Sequence, residues 1–212
     1  MADVITVAQL EAWLRAASAA LHEKAAWLTE LDSAIGDADH GTNMARGFTA
    51  VVTKLDAGVP DTAPALLKSV GMTLISTVGG ASGSLYGTLF LEAAKALPAD
   101  SEVTAAQFAD ALAAGVAGIV SRGHAEIGDK TMIDALTPAV AAFAAAAAEG
   151  ESAADAAASA ARAGEAGRDS TEPLVARKGR ASYLGERSAG HLDPGASSSV
   201  ILLETLAGVL AA

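Results

Sequence analysis

The sequence predicts an all-α fold, an antiparallel up-and-down helical bundle or closed helical barrel. Three observations carry that expectation. Of 212 residues, 51% are hydrophobic but only 4% aromatic, and many of the rest are alanine, the best helix former and one that lets helices approach closely. Apolar residues recur at three- and four-residue spacing in segment after segment. No strand-type alternation interrupts them.

Residues 6–31 read as the first helix, with Leu10, Trp13, Leu14, Ala17, Leu21, Leu28 and Leu31 on one stripe and Thr6 with Gln9 as a capping box. The second follows an aspartate-rich stretch and carries Met44, Phe48, Val51, Val52 and Leu55. The third starts in DTAPAL, where Pro64 fits a first turn, and stops at Gly79 and Gly80. A fourth covers residues 84–97, and a fifth begins at Thr104 with Gln107 as a second capping box. Three more cover 132–148, 152–167 and 196–211. Connections are short and no domain boundary shows, so residues 1–212 read as one domain.

A net charge of −11 argues against nucleic acid or an anionic membrane surface as a partner. It leaves room for an anionic ligand beside a local basic cluster or a bound metal. The absence of cysteine removes disulfides, thiolate metal sites and thiol nucleophiles. The N-terminal segment lacks a signal-peptide pattern and no apolar run has the length to span a bilayer, so a cytoplasmic location is expected.

The loops contrast with this plain background. In an antiparallel bundle the connections after helices one, three, five and seven share one end. Those are residues 32–43, 78–84, 122–131 and 176–199, which hold most of the unusual polar residues. Parity alone therefore predicts one site at that rim.

The first loop, LDSAIGDADHGTN, places Asp32, Asp37 and Asp39 within eight positions with no lysine or arginine among them. Two carboxylates about 5 Å apart repel by roughly 3 kcal/mol at an effective dielectric of 20, and a cation reverses that. Oxygen ligands at this spacing suit a hard cation such as Mg²⁺; aspartates also favour turns and helix caps. The second, TVGGASGS, leads into a helix and offers backbone N–H groups with Ser82 and Ser84 hydroxyls, either an anion cradle or a plain interhelical turn. The third nearly spells a P-loop between Gly123 and Thr131, but Asp129 separates Gly128 from Lys130 and a helix precedes it, so a Walker site is rejected. Lys130 reads as an isolated surface lysine or a phosphate contact. The fourth brings Arg177, Lys178, Arg180 and Arg187 within eleven residues, a match for phosphate oxygens. His40, His124 and His191 lie in these loops, with hydrogen-bonding or capping roles expected for each.

IGDADHGTNMARGF, TVGGASGSLYGT, SRGHAEIGDKTMIDAL and ARKGRASYLGERSAGHLDPGASSS, in that order, resemble the motifs of the nucleotide-binding L subunit of dihydroxyacetone kinase. The resemblance spans nearly the whole chain. It implies an antiparallel eight-helix barrel with the nucleotide at one end, and a pair of Mg²⁺ ions on Asp32, Asp37 and Asp39. ADP or ATP would contact His40, Gly41, Thr42 and Asn43 after the aspartates, and Ala81 and Ser82 on the phosphate side. Gly123 and Met132 match positions near base and ribose, Arg180 the basic-loop contact, and Asp193, Pro194 and Gly195 the closing turn. Family members act with a K subunit that holds dihydroxyacetone on its own histidine. No such substrate domain is recognisable here, and no catalytic residue is assigned to this chain. The resemblance further implies either recharging of ADP by a phosphohistidine M subunit of the phosphotransferase system or exchange of free ATP. A second role as an ADP-loaded adaptor of a transcription regulator would be compatible with both.

Overall fold

A computed structural model of the chain describes residues 4–212; Met1, Ala2 and Asp3, which open the segment expected to carry no leader, lie outside the described residues. Among those described, nine α-helices account for most of the chain: α1 (Val7–Glu23), α2 (Ala25–Ile35), α3 (His40–Asp56), α4 (Ala63–Thr77), α5 (Gly80–Ala96), α6 (Ala105–Gly123), α7 (Met132–Ala148), α8 (Ala153–Ser170) and α9 (Pro194–Leu210). Residues Arg180–Ser188 form a 3-10 helix between α8 and α9. No described helix is long and apolar enough to cross a membrane.

Both capping boxes form. The Gln9 N–H donates to Thr6 Oγ1 at 3.2 Å while the Thr6 N–H donates to Gln9 Oε1 at 3.0 Å, and Thr104 and Gln107 repeat the pattern. Each of these threonines also ends a short strand. β1 (Val4–Thr6) and β2 (Glu102–Thr104) pair antiparallel with Ile5 opposite Val103, both fully buried. Three residues are too few for alternation to register, so the sequence shows no strand there.

From α3 onward each helix packs on the next, and α9 returns to pack on α1 and α2, so the packing order closes on itself. Short connections join the successive helices from α3 to α8, as in an antiparallel up-and-down arrangement. The core is aliphatic around a chain of aromatic contacts: Trp13 lies 5.8 Å from Phe90 and 6.4 Å from Phe108, which lies 5.7 Å from Phe143. The Trp13 indole finds its acceptor in the Leu202 carbonyl at 2.8 Å, as a buried indole must.

Two boundaries differ from the sequence reading. The single helix expected over 6–31 is broken at Lys24 (φ −91°, ψ 3°), and its second part runs on to Ile35. Neither proline nor glycine marks the break, which is why periodicity alone missed it. The helix expected from Ser84 begins at Gly80, so the glycine-rich stretch forms its first turns; Ser84 turns back to the Ala81 carbonyl.

Pro138 lies inside α7. Lacking an N–H, it leaves the Asp134 carbonyl without its helical donor. α8 exploits that position: a Cβ on Gly167 would lie 2.2 Å from the same carbonyl oxygen. The close packing of α7 on α8 therefore depends on a bare glycine. Gly167→Ala is expected to cost about 1–3 kcal/mol by overpacking, outweighing alanine's better helix propensity. The readout is a lower thermal midpoint by circular dichroism; an unchanged midpoint would show that the two helices separate freely.

Candidate functional site

α2 ends at Ile35 and α3 begins at His40, so four residues make the turn. Asp32, on the last turn of α2, is only 7% exposed. Its Oδ2 accepts from the backbone N–H of Asp39 at 2.8 Å and of His40 at 3.1 Å. A carboxylate from one helix thus caps the positive end of the next. Asp39 holds the N-cap position but makes no capping bond of its own, and Asp37 and Asp39 are exposed. Gly36 permits the arrangement, since a Cβ there would lie 1.9 Å from Asp32 Oδ1. Ala38, between the outer aspartates, takes a left-handed φ of 61°. One oxygen from each of the three aspartates then lies within 4.8 Å of the others. The cap and the cluster are not alternatives, because Asp32 serves both.

The cluster borders a pocket of about 200 Å³ whose walls come from all four loops placed at one end by parity: residues 32–40, 79–86, 130–132 and 178–195 contribute. The start of α5, with Gly80, Ala81 and Ser82, lines the same pocket. Lys178 and Arg180 supply positive charge, and Ile35, Leu85, Met132 and Ala181 supply apolar surface. Arg180, its side chain 69% exposed, reaches Asp37 Oδ2 through Nε at 3.0 Å.

Of the residues singled out in the sequence, Asp32, Asp37, Asp39, His40, Ala81, Ser82, Met132, Arg180, Asp193, Pro194 and Gly195 line this pocket. Gly41, Thr42, Asn43 and Gly123 do not. Gly41 is buried against the backbone of α2 at Ala25, Asn43 accepts from Arg46 Nη2 at 2.6 Å, and Thr42 and Gly123 are exposed. Asp193 caps α9, accepting the Ala196 N–H at 2.6 Å. His124 is the left-handed C-cap residue of α6, its N–H donating to Val120 O at 2.7 Å.

Lys130 corrects the surface reading. It is 1% exposed, and its Nζ donates to the carbonyls of Thr171 at 2.8 Å, Leu174 at 3.1 Å, Glu172 at 3.3 Å and His191 at 2.5 Å. Burial pushes its pKa down while the charges of Asp193 and Glu172 oppose that. The ammonium is a staple closing the long basic loop at its base.

Sequence reasoning also missed Asp134, whose carboxylate accepts the N–H groups of Gly128 at 2.5 Å and Thr131 at 2.7 Å. The capping-box spacing from Thr131 to Asp134 was the available signal. Leading inward from the pocket wall, His40 Nε2 meets Ser198 Oγ at 2.8 Å and Nδ1 meets Ser82 Oγ at 3.2 Å. Tyr86 Oη lies 2.7 Å from Ser198 Oγ and 2.9 Å from Ser199 Oγ. Burial lowers the His40 pKa against the pull of Asp32 and Asp39, and raises that of Tyr86. No spacing in the sequence announces these tertiary partners.

The DAK2 domain model matches residues 34–208. The ADP-binding subunit DhaL of the PEP-dependent dihydroxyacetone kinase of Escherichia coli (strain K12) is 45% identical over 199 residues, covering 94% of this chain and 95% of its own. Its counterpart in the PTS-dependent enzyme of Lactococcus lactis is 39% identical, covering 98% of this chain and 100% of its own. The crystal structure of the dihydroxyacetone kinase from C. freundii in complex with AMP-PNP and Mg²⁺ superposes with a TM-score of 0.73 at 25% identity; the match takes in 95% of this chain but only 34% of that longer one. With a family model over most of its length and relatives matched nearly end to end, the chain belongs to the DAK2-domain family, with the ADP-binding L subunits of dihydroxyacetone kinase.

Proposed function

We propose that this chain binds ADP or ATP with magnesium and passes the phosphoryl group to dihydroxyacetone, or a related small ketose, held by a separate K subunit. ADP is then recharged in place by a phosphohistidine M subunit. One observation carries the reading: three carboxylates share a single pocket with a helix N-terminus and two cationic side chains, of which Arg180 pairs with Asp37. The carboxylates alone would repel a polyphosphate, whereas the cationic and N–H groups attract one. A nucleotide carrying its own divalent cations satisfies both.

The donor set suits that cation. All three ligands are carboxylate oxygens, with no cysteine thiolate in the chain to favour a softer metal. Magnesium, expected as a pair on Asp32, Asp37 and Asp39, supplies charge neutralisation at the phosphates when bound. The chain's own residues do the rest. Asp32 is fixed by two backbone N–H groups, which sets the position of its neighbours. The first turn of α5 presents N–H groups to phosphate, and Arg180 offers a guanidinium fork. Ile35, Leu85 and Met132 give the nucleoside an apolar wall. Catalysis on this side is positioning and charge compensation, so no general base is assigned.

The recharging route is favoured by kinship, because relatives at 39–45% identity are named ADP-binding subunits of PEP- or PTS-dependent kinases. Exchange of free ATP is the second reading, favoured by the AMP-PNP complex of the C. freundii enzyme.

Asp193 adds a pH dependence. Burial, helped by the charge of Asp134, pushes its carboxyl up to about 7, while the Ala196 N–H and Lys130 pull the other way. A folded-state value above the ordinary 3.8 means the folded chain holds the proton more tightly. Stability from this group is therefore lost as pH rises from about 4 to 7.

Mass analysis of small molecules released on denaturing the purified chain should find ADP, with magnesium in the metal analysis; empty protein that turns over free ATP would reject the recharging route. Asp37→Asn should abolish nucleotide retention with unchanged far-UV circular dichroism, and normal retention would contradict the metal assignment. Arg180→Ala should slow transfer with the K partner by roughly a hundredfold, and an unaffected rate would remove Arg180 from the site. Asp193→Asn keeps the helix cap and should flatten the fall in denaturant stability between pH 4 and 7; identical profiles would refute the raised carboxyl.

A further inference from the structure

The polar network that runs from the pocket wall into the interior is not used by any step above. It links three helices: His40 opens α3, Ser82 and Tyr86 lie on α5, and Ser198 and Ser199 lie on α9. Tyr86, Ser198 and Ser199 are at most 1% exposed, and no buried side-chain polar atom among the described residues lacks a partner. A satisfied network of this kind fixes orientations more than it adds stability, because an apolar cluster of the same shape would be about as stable.

What it orients is the His40 ring. Ser198 Oγ faces Nε2 at 2.8 Å and has its single hydrogen on the Gly195 carbonyl, which can only accept, so Nε2 carries the hydrogen between them. Ser198 accepts from it and passes its own hydrogen to the Gly195 carbonyl at 3.1 Å. Nδ1 is left bare and accepts from the Ser82 hydroxyl at 3.2 Å. Ser82 belongs to the α5 turn that lines the pocket together with the aspartates.

We propose that Ser198 is a positioning residue of the nucleotide site: it locks His40 as the Nε2–H tautomer, and through Nδ1 fixes Ser82 and the first turn of α5 against the carboxylate segment. Ser198 touches no ligand itself, since it does not line the pocket. Its effect passes along a chain of two hydrogen bonds. The loss on cutting that chain falls on the phosphate side of the site, leaving the start of α3 capped by Asp32 as before.

The binding part of this proposal rests on the nucleotide reading above, whereas the tautomer part does not. The experiment therefore has two arms on full-length protein. In the first, ¹⁵N-histidine NMR of the wild type should show His40 as a single neutral Nε2–H tautomer, and Ser198→Ala should turn it into an averaged mixture. In the second, titration with ADP and magnesium should show roughly tenfold weaker binding for Ser198→Ala at an unchanged circular dichroism spectrum. Should Ser198→Ala fail to fold, Ser198→Cys keeps the volume with a much weaker hydrogen bond and carries the same expectations. A wild-type Nδ1–H tautomer, or a tautomer and an ADP affinity both indifferent to Ser198, would overturn the proposal. Wild-type protein that shows the expected tautomer but binds no ADP would overturn the nucleotide reading and the binding part, leaving the tautomer lock standing.

Discussion

The site hangs on one buried carboxylate. Asp32 gives an oxygen to the N–H groups of Asp39 and His40, and hydrogen bonds to a charged acceptor are worth about 1.5–3 kcal/mol each. Together these bonds tie the end of α2 to the start of α3 and dictate the course of the residues between. With Asp32 turned inward to cap the helix, Asp37 and Asp39 remain outside it, their charges uncompensated by any local backbone donor that the structure records. The helix cap therefore creates the acidic cluster.

Opposite charges in the pocket are arranged by different means. The acidic side is local, built from eight consecutive positions. The basic side arrives from a long excursion between α8 and α9, and its placement needs separate anchors. Lys130 gathers four carbonyls of that excursion, Ser188 receives the Ala176 N–H at 2.8 Å, and Thr171 receives the Asp193 N–H at 3.0 Å. Arg180 stays exposed on this stapled base, and its pair with Asp37 is the kind of surface ion pair worth about 0–1 kcal/mol. The loop is held by buried hydrogen bonds, and the weak Arg180–Asp37 pair can give way to a charged ligand at little cost.

Most of the architecture was legible because it rests on periodicity and caps, which are local. Thr6 with Gln9 and Thr104 with Gln107 mark helix starts, and loop parity places at one end the four segments that line the pocket. The break at Lys24 left no residue signature. The glycine-rich turn misled because Gly79 and Gly80 have poor helix propensity, yet α5 starts at Gly80 once packed. Lys130 was misread for a related reason: an isolated lysine in a polar loop looks solvated until tertiary structure supplies carbonyls to bury it. The aspartates and Arg180 could be found because their charge is anomalous against their surroundings. Ser198 and Tyr86 could not, since their partners are more than a hundred positions away.

These two kinds of residue divide the work in a way that follows from their accessibility. Groups that meet a charged ligand must stay near solvent, where they stand out by type and clustering. Groups that orient them are buried, so they must be hydrogen-bonded in full, and their number is limited by how many partners the interior can provide. Here the interior provides one continuous set, running from Gly195 through Ser198 to His40 and reaching the pocket at Ser82. The carboxylate side needs no such support because the backbone itself holds Asp32. An asymmetry results: the cation side of the pocket is built from short-range bonds that form with α2 and α3, whereas the phosphate side becomes defined only when α5 and α9 have packed together.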